Sequence, residues 1–216
     1  MPRADTWGRF DWPGQGLAID LADTIVVVRP GETIDHLATS EQLLRWLELE
    51  RPWLGEAHGD ALERLDDFRA LREAIRALCF ATVRGDPPPS EAAPAVNRFS
   101  AAAPWFRQLE VAQGEPPRVA VASTVPDGTD RLLATIADAA VGLLGGPDHK
   151  RLRVCPAPSC GMFFLAGSPR QLWCRDLCGN RARVGRHHAR VAASGGAPER
   201  NGRSPQQADM APGPGY

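Results

Sequence analysis

The chain has 216 residues, 43% of them apolar and 24% charged, a balance that supports one domain of ordinary size plus a small appended module and excludes two large domains or a largely disordered chain. No stretch approaches the length of a membrane span, so a transmembrane protein is excluded as well. The net charge of −1 hides a segregation: nine basic residues and one acid lie between Lys150 and Arg190, a formal +8 that leaves −9 for the rest, and such a basic head on an acidic body attracts polyanions.

The first residues, "MPRADTWGRFDWPGQG", mix charges and lack an apolar run, so they do not read as a signal peptide, and a cytoplasmic location is expected. In "LAIDLADTIVVVRP" the β-branched run Ile25, Val26, Val27 and Val28 before Pro30 predicts a buried strand, while "IDLADT" fits a short helical turn equally well. "TSEQLLRWLELERP" predicts a helix with Thr39 and Ser40 as candidate caps, an apolar face at Leu43, Leu44 and Leu47, and an end before Pro52. "DALERLDDFRALREAIRALCFATVRG" predicts a second, longer helix with Asp60 as cap and Gly85 at its exit.

After the loop "DPPPSEAAP" comes a shorter helix in "APAVNRFSAAAP", bounded by Pro104. "WFRQLEVA" and "PRVAVAST" predict two strands around the turn "QGEPP", and "TDRLLATIADAAVGLLGG" a further amphipathic helix ended by Gly145 and Gly146. The fold class is therefore α+β: a mainly helical N-terminal domain over 12–148, a small C-terminal module over 149–191, and a tail over 192–216 whose composition predicts disorder.

Four of the five cysteines, Cys155, Cys160, Cys174 and Cys178, are spaced C-x4-C-x13-C-x3-C. Two close pairs in a chain without a secretory signal favour one zinc ion over disulfides, because zinc takes four soft ligands tetrahedrally and reducing compartments keep thiols free. The alternative is a redox pair or unconnected buried thiols. His149, His187 and His188 could substitute, but four thiolates already close the coordination sphere, which makes the metal structural. "CPAPSCG" can bend into a knuckle, "MFFLA" can return beneath it as a strand, and "WCRDLCGNRARVGRHHAR" brings the second pair to a helix start, a treble-clef-like layout. Cys79, on the long helix, reads as a small core residue.

A helix over about 179–191 places Arg183, Arg186, His187 and Arg190 within an arc of about 100°, with Val184, His188 and Val191 outside it and free to pack on the module. Guanidinium groups on a fixed helix suit phosphates and guanine edges. Arg151, Arg153 and Arg170 widen the patch. No strand studded with stacking aromatics is evident, so the expected partner is duplex DNA. The competing reading makes the finger a zinc-stapled protein-docking module without nucleic-acid binding. An enzyme is not expected: Asp20 with Asp23, Asp35 with His36, and Glu56 with His58 are candidate acid and base pairs, but none sits in a nucleophile, phosphate-loop or open-metal motif.

"RLRVCPAPSCGMFFL" followed by "WCRDLCGNRARVGRHHAR" closely resembles the CGNR zinc-finger family of bacterial proteins, named for the residues that here are Cys178, Gly179, Asn180 and Arg181. That family joins the finger to an N-terminal ABATE domain, and "LAIDLADT", "TSEQLLRWL" and "LREAIRAL" resemble its motifs; the first usually ends in Asn-Thr, where this chain has Asp23-Thr24. The resemblance implies zinc on the four cysteines, DNA contacts by the arginines including Arg181, and a role in stress-induced transcription regulation. Because one small module reads only a few base pairs, a homodimer is expected, with a small-molecule or protein effector as a further partner of the N-terminal domain.

Overall fold

The structure, a computed structural model, describes residues 14–29, 31–56 and 59–194. The first thirteen residues and 195–216, which hold most of the predicted tail, lie outside the described residues, as do Pro30 and His58. Of the two readings of "LAIDLADT", the helical one is correct: α1 spans Leu17–Ala22 and β1 follows at Ile25–Arg29. Asp20 anchors the entry to α1, its carboxylate accepting from the backbone N–H groups of Gly14 and Gln15. β1 pairs antiparallel with β2, Glu32–Asp35, across a turn where Gly31 takes φ 79°, a left-handed value that favours glycine. β2 escapes the sequence pattern because three of its four residues are exposed.

Helix α2 spans Ser40–Leu54 and opens on a reciprocal capping box: Thr39 Oγ1 accepts from the Gln42 N–H, and Gln42 Oε1 accepts from the Thr39 N–H. The expected stop before Pro52 is wrong, and the helix runs through it to Gly55. Pro52 falls in the last turn, where its missing N–H deprives only the Glu48 carbonyl, and both residues are exposed to water. The predicted Asp60 cap also fails. A 3-10 segment occupies Gly59–Arg64, and α3 spans Leu65–Arg84. Arg64 pins that junction through ion pairs to Asp67 at 2.7 Å and Asp130 at 2.5 Å. At the other end Gly85 closes α3 at φ 72°, as its sequence position predicts.

α4, Ala92–Ala102, and α5, Thr129–Gly145, complete a helical body around Leu21, Leu43, Trp46, Phe68, Ile75 and Leu133. Cys79 belongs to this core, and burial pushes its thiol up to about 12. Between α4 and α5 the chain forms an antiparallel hairpin, β3 at Trp105–Glu110 and β4 at Arg118–Ser123. A third hairpin, β5 at Leu152–Val154 with β6 at Phe163–Leu165, follows a short 3-10 segment over Pro147–Arg151. α6, Asp176–Ser194, ends the described chain, starting three residues before the predicted helix and running three beyond it. No helix among the described residues is long and apolar enough to cross a membrane.

Candidate metal centre and basic helix

The cysteine cluster is assembled from two turns. In the first, the Cys155 N–H donates to the Met162 carbonyl at 2.8 Å, which folds "CPAPSCGM" into a knuckle between β5 and β6. Ser159 at φ 57° and Gly161 at φ 69° make its tight bend. In the second, Cys174 precedes α6 and Cys178 lies in the helix's first turn, so the helix start itself presents a ligand. The four sulfurs lie within 4.8 Å of one another, with Cys160–Cys174 and Cys174–Cys178 at 3.6 Å and Cys160–Cys178 at 3.7 Å.

Those separations fit a single ion: a tetrahedron with Zn–S arms of about 2.3 Å has edges of about 3.8 Å. Four thiols this close cannot all ionise unaided. Hydrogen bonds from Cys160 and Cys174 hold the Cys155 thiol down at about 2, while the Cys155 contact raises Cys160 to about 12 and Cys155 and Cys160 together push Cys174 up. A divalent cation removes that conflict by stabilising four thiolates together. Cys155, Cys160, Cys174 and Cys178 thus form a closed, structural zinc site.

The residues after Cys178 brace the site before they reach solvent. Gly179 is buried against the Trp173 ring, and a Cβ there would stand 3.0 Å from Trp173 Cδ1. Arg181 turns back on the knuckle, donating from Nη1 to the carbonyls of Ser159 at 2.9 Å and Pro158 at 3.1 Å, with Nη2 at 3.7 Å from Cys178 Sγ. It is a frame residue. Arg151 is similarly engaged, by the Ala166 carbonyl at 3.1 Å and Asp148 at 2.8 Å. Arg153 donates to the carbonyls of Lys150 and Leu152.

From Arg183 onward every described side chain of α6 is exposed, so the helix extends past the finger core into solvent. Arg183, whose guanidinium contacts Asn180 Oδ1, shares one face with Arg186, His187 and Arg190. His187 and His188 stack edge to face at 6.1 Å. Arg170 is exposed on the loop before Cys174. The expectation that the rest of the helix packs on the module is incorrect: Val184 and Val191 are 55% and 54% exposed, because α6 extends past the small finger core of Cys155, Cys160, Phe164 and Cys178.

Sequence reasoning missed how the finger is fixed to the body. Alternation along β6 sends Phe164 into the finger core and Phe163 into the body core, where Phe163 meets the Phe80 ring at 4.8 Å. The Arg76 guanidinium lies over both rings, 5.6 Å from Phe80 and 5.8 Å from Phe163, and donates to the Ala22 carbonyl. The outward N–H groups of β6 are taken by the body: Phe163 N–H donates to Asp23 Oδ1 at 2.9 Å, and Leu165 N–H to Gln15 Oε1 at 3.1 Å. Burial raises the Asp23 carboxyl well above its ordinary value, although the Phe163 hydrogen bond and the Arg76 charge pull the other way. The available signal was "LAIDLADT", a polar motif inside an apolar run.

The three acid–base candidates have structural partners. Asp35 is clasped by Arg72 at 2.5 and 2.9 Å; burial raises its carboxyl, but the hydrogen bonds from Arg72 and the Leu37 N–H, with the Arg72 and Arg69 charges, together lower it. Asp20 caps the entry to α1, and Glu56 pairs with Arg51.

Two family models match the chain. Residues 15–147 match ABATE, described as "Putative stress-induced transcription regulator", and residues 151–191 match the CGNR zinc finger. No curated protein matches it.

Proposed function

Because the chain belongs to the ABATE family and ends its described fold in a CGNR zinc finger, we propose that it is a cytoplasmic, DNA-binding transcription regulator without catalytic activity. Its structural zinc sets an arginine-bearing helix on duplex DNA. The observation that carries this reading is the projecting half of α6, where Arg183, Arg186, His187 and Arg190 lie on one solvent-exposed face. Around it the finger holds nine basic residues against one acid, about +6 once a zinc tetrathiolate is counted. A rigid helix with guanidinium groups on one side can follow a groove, grip phosphates and pair with guanine edges.

Arg170 and Arg153 extend the same charge from the loop and hairpin. Arg181 and Arg151 serve differently in this reading: their hydrogen bonds fix the frame that aims the helix, and their charge adds to the field. Duplex is favoured over single strands because the two exposed aromatics of β3, Trp105 and Phe106, alternate to opposite faces and form no stacking platform. The apolar groove between α3, α4 and α5, about 520 Å³ and lined by Leu78, Val96 and Leu144, is the place for an effector of the N-terminal domain.

Retention of zinc-loaded protein on random duplex fragments across a salt series tests the proposal. Binding should fall by roughly 0.9 log units per log unit of salt for each phosphate neutralised. Reversing Arg183, Arg186 and Arg190 to glutamate should abolish it while zinc content stays at one per chain. A second reading, a protein-docking finger, is favoured by Leu177, Val184 and Val191, which α6 exposes at 54–70%. No retention by the zinc-loaded wild type at low salt would select it.

A further inference from the structure

The β3–β4 hairpin carries apolar surface that the described residues leave uncovered. The register pairs Trp105 with Ser123, Arg107 with Val121 and Leu109 with Val119, so the odd-numbered side chains share one face. On that face Trp105 is 44%, Leu109 68%, Val119 64% and Val121 57% exposed, and Val111, next along at the tip, is 69% exposed. The opposite face is the more polar one: beside Phe106 it carries exposed Gln108 and Arg118 and half-buried Glu110, Ala120 and Ala122. An isolated two-stranded hairpin is marginal in water, and a contiguous apolar patch of this kind marks a contact surface.

We propose that this face is where a second copy of the chain docks, hairpin against hairpin. The surface suits a two-fold contact. Five side chains of this size expose on the order of 500 Å² per copy, so a symmetric pair removes about 1,000 Å² from water, the lower bound for a specific interface. Burying that much apolar surface outweighs the costs of association by enough to sustain a dissociation constant in the micromolar range.

Charge sets the position of the axis. Arg107 is the one charged side chain of β3 and β4 on the apolar face, and a like pair across the axis would repel. Centring the axis on Leu109 and Val119 leaves each Arg107 two residues away from it. At about 3.3 Å per residue the two guanidinium groups then stand about 13 Å apart, beyond a Debye length of about 8 Å at physiological salt. Glu110 and Arg118, paired at 2.7 Å on the opposite face, neutralise each other beside the patch. Such a contact presents two basic helices at once, as a regulator with a small reading module requires.

Sedimentation equilibrium of the zinc-loaded full chain, without DNA, tests this independently of the DNA-binding reading. Wild type should show a concentration-dependent mass that approaches twice that of one chain. Leu109→Asp and Val121→Asp should each raise the dissociation constant 100-fold or more, with far-UV dichroism and zinc content unchanged because both side chains are already exposed. Trp105→Phe should remove the emission change that wild type shows on dilution. A wild type that stays monomeric up to several hundred micromolar overturns the proposal. So does a dimer indifferent to both aspartate variants, or one broken instead by Leu177→Asp or Val184→Asp on α6.

Discussion

Phe163 is the residue through which the zinc finger and the helical body share a core, and its truncation tests whether they form one cooperative unit. The side chain is 1% exposed and its ring meets that of Phe80 at 4.8 Å, tilted by 59°. Reducing it to alanine forfeits about 2–3 kcal/mol of transfer energy. The cavity left in a core bounded by two hairpin strands and α3 brings such truncations to about 3–5 kcal/mol, a range that includes the lost aromatic contact. We expect Phe163→Ala to lose about 4 kcal/mol, a large part of the total for a domain of this size. Urea unfolding followed by far-UV dichroism measures the loss. The thiolate-to-cobalt absorption of the cobalt-substituted protein should stay unchanged, because Phe163 points away from the sulfurs. Phe164→Ala, on the other face of β6, should disturb that absorption. Two separate transitions in the wild type, or a loss under about 1 kcal/mol for Phe163→Ala, would refute the shared core.

Cys178→Ser should eliminate stoichiometric zinc by elemental analysis and shorten the helix by dichroism, since the first turn of α6 supplies that ligand. Gly179→Ala places a methyl 3.0 Å from Trp173 Cδ1, and the forced shift should cost about 1–3 kcal/mol in a thermal melt while the zinc is retained. Asp23→Asn keeps an acceptor for the Phe163 N–H and discards a buried charge. Burial raises the folded-state pKa of Asp23 above its unfolded value of 3.8, so the wild type is most stable below that value and loses stability as pH rises through the folded pKa. The variant should lack that loss and be the more stable protein at neutral pH, read from urea midpoints between pH 4 and 8.

What the sequence made legible follows the range of each signal. The capping box at Thr39, the exit at Gly85 and the hairpin from Trp105 to Ser123 are local, and their residues encode them without help from distant neighbours. The zinc cluster reads well for the same reason: four thiols within 24 positions leave few other arrangements. The start of α3 does not, because Arg64 is held by Asp130, sixty-six residues away. Nor does the end of α2, where water decides whether Pro52 is tolerated. Arg181 is the instructive case: its type and position match the other arginines of α6, yet the knuckle carbonyls claim it.

The seam between the two matched regions carries a further consequence for how a signal could travel. Asp23 and Gln15 hold the outward edge of β6, and β6 leads through a short loop to the second ligand pair and α6. Any ligand that shifts α1 or the α3 face at Arg76 therefore acts on the strand whose other face packs under the zinc. The apolar groove is lined by Leu78 and Thr82 of α3, and Leu78 lies two residues from both Arg76 and Phe80 on the same helix. A ligand that displaced α3 on filling it would also displace the helix that Phe163 rests on. In the DNA-binding reading, a finger on a flexible linker would bind regardless of what the body holds, whereas one bonded to the body at two backbone amides and a shared aromatic core is mechanically coupled to α3.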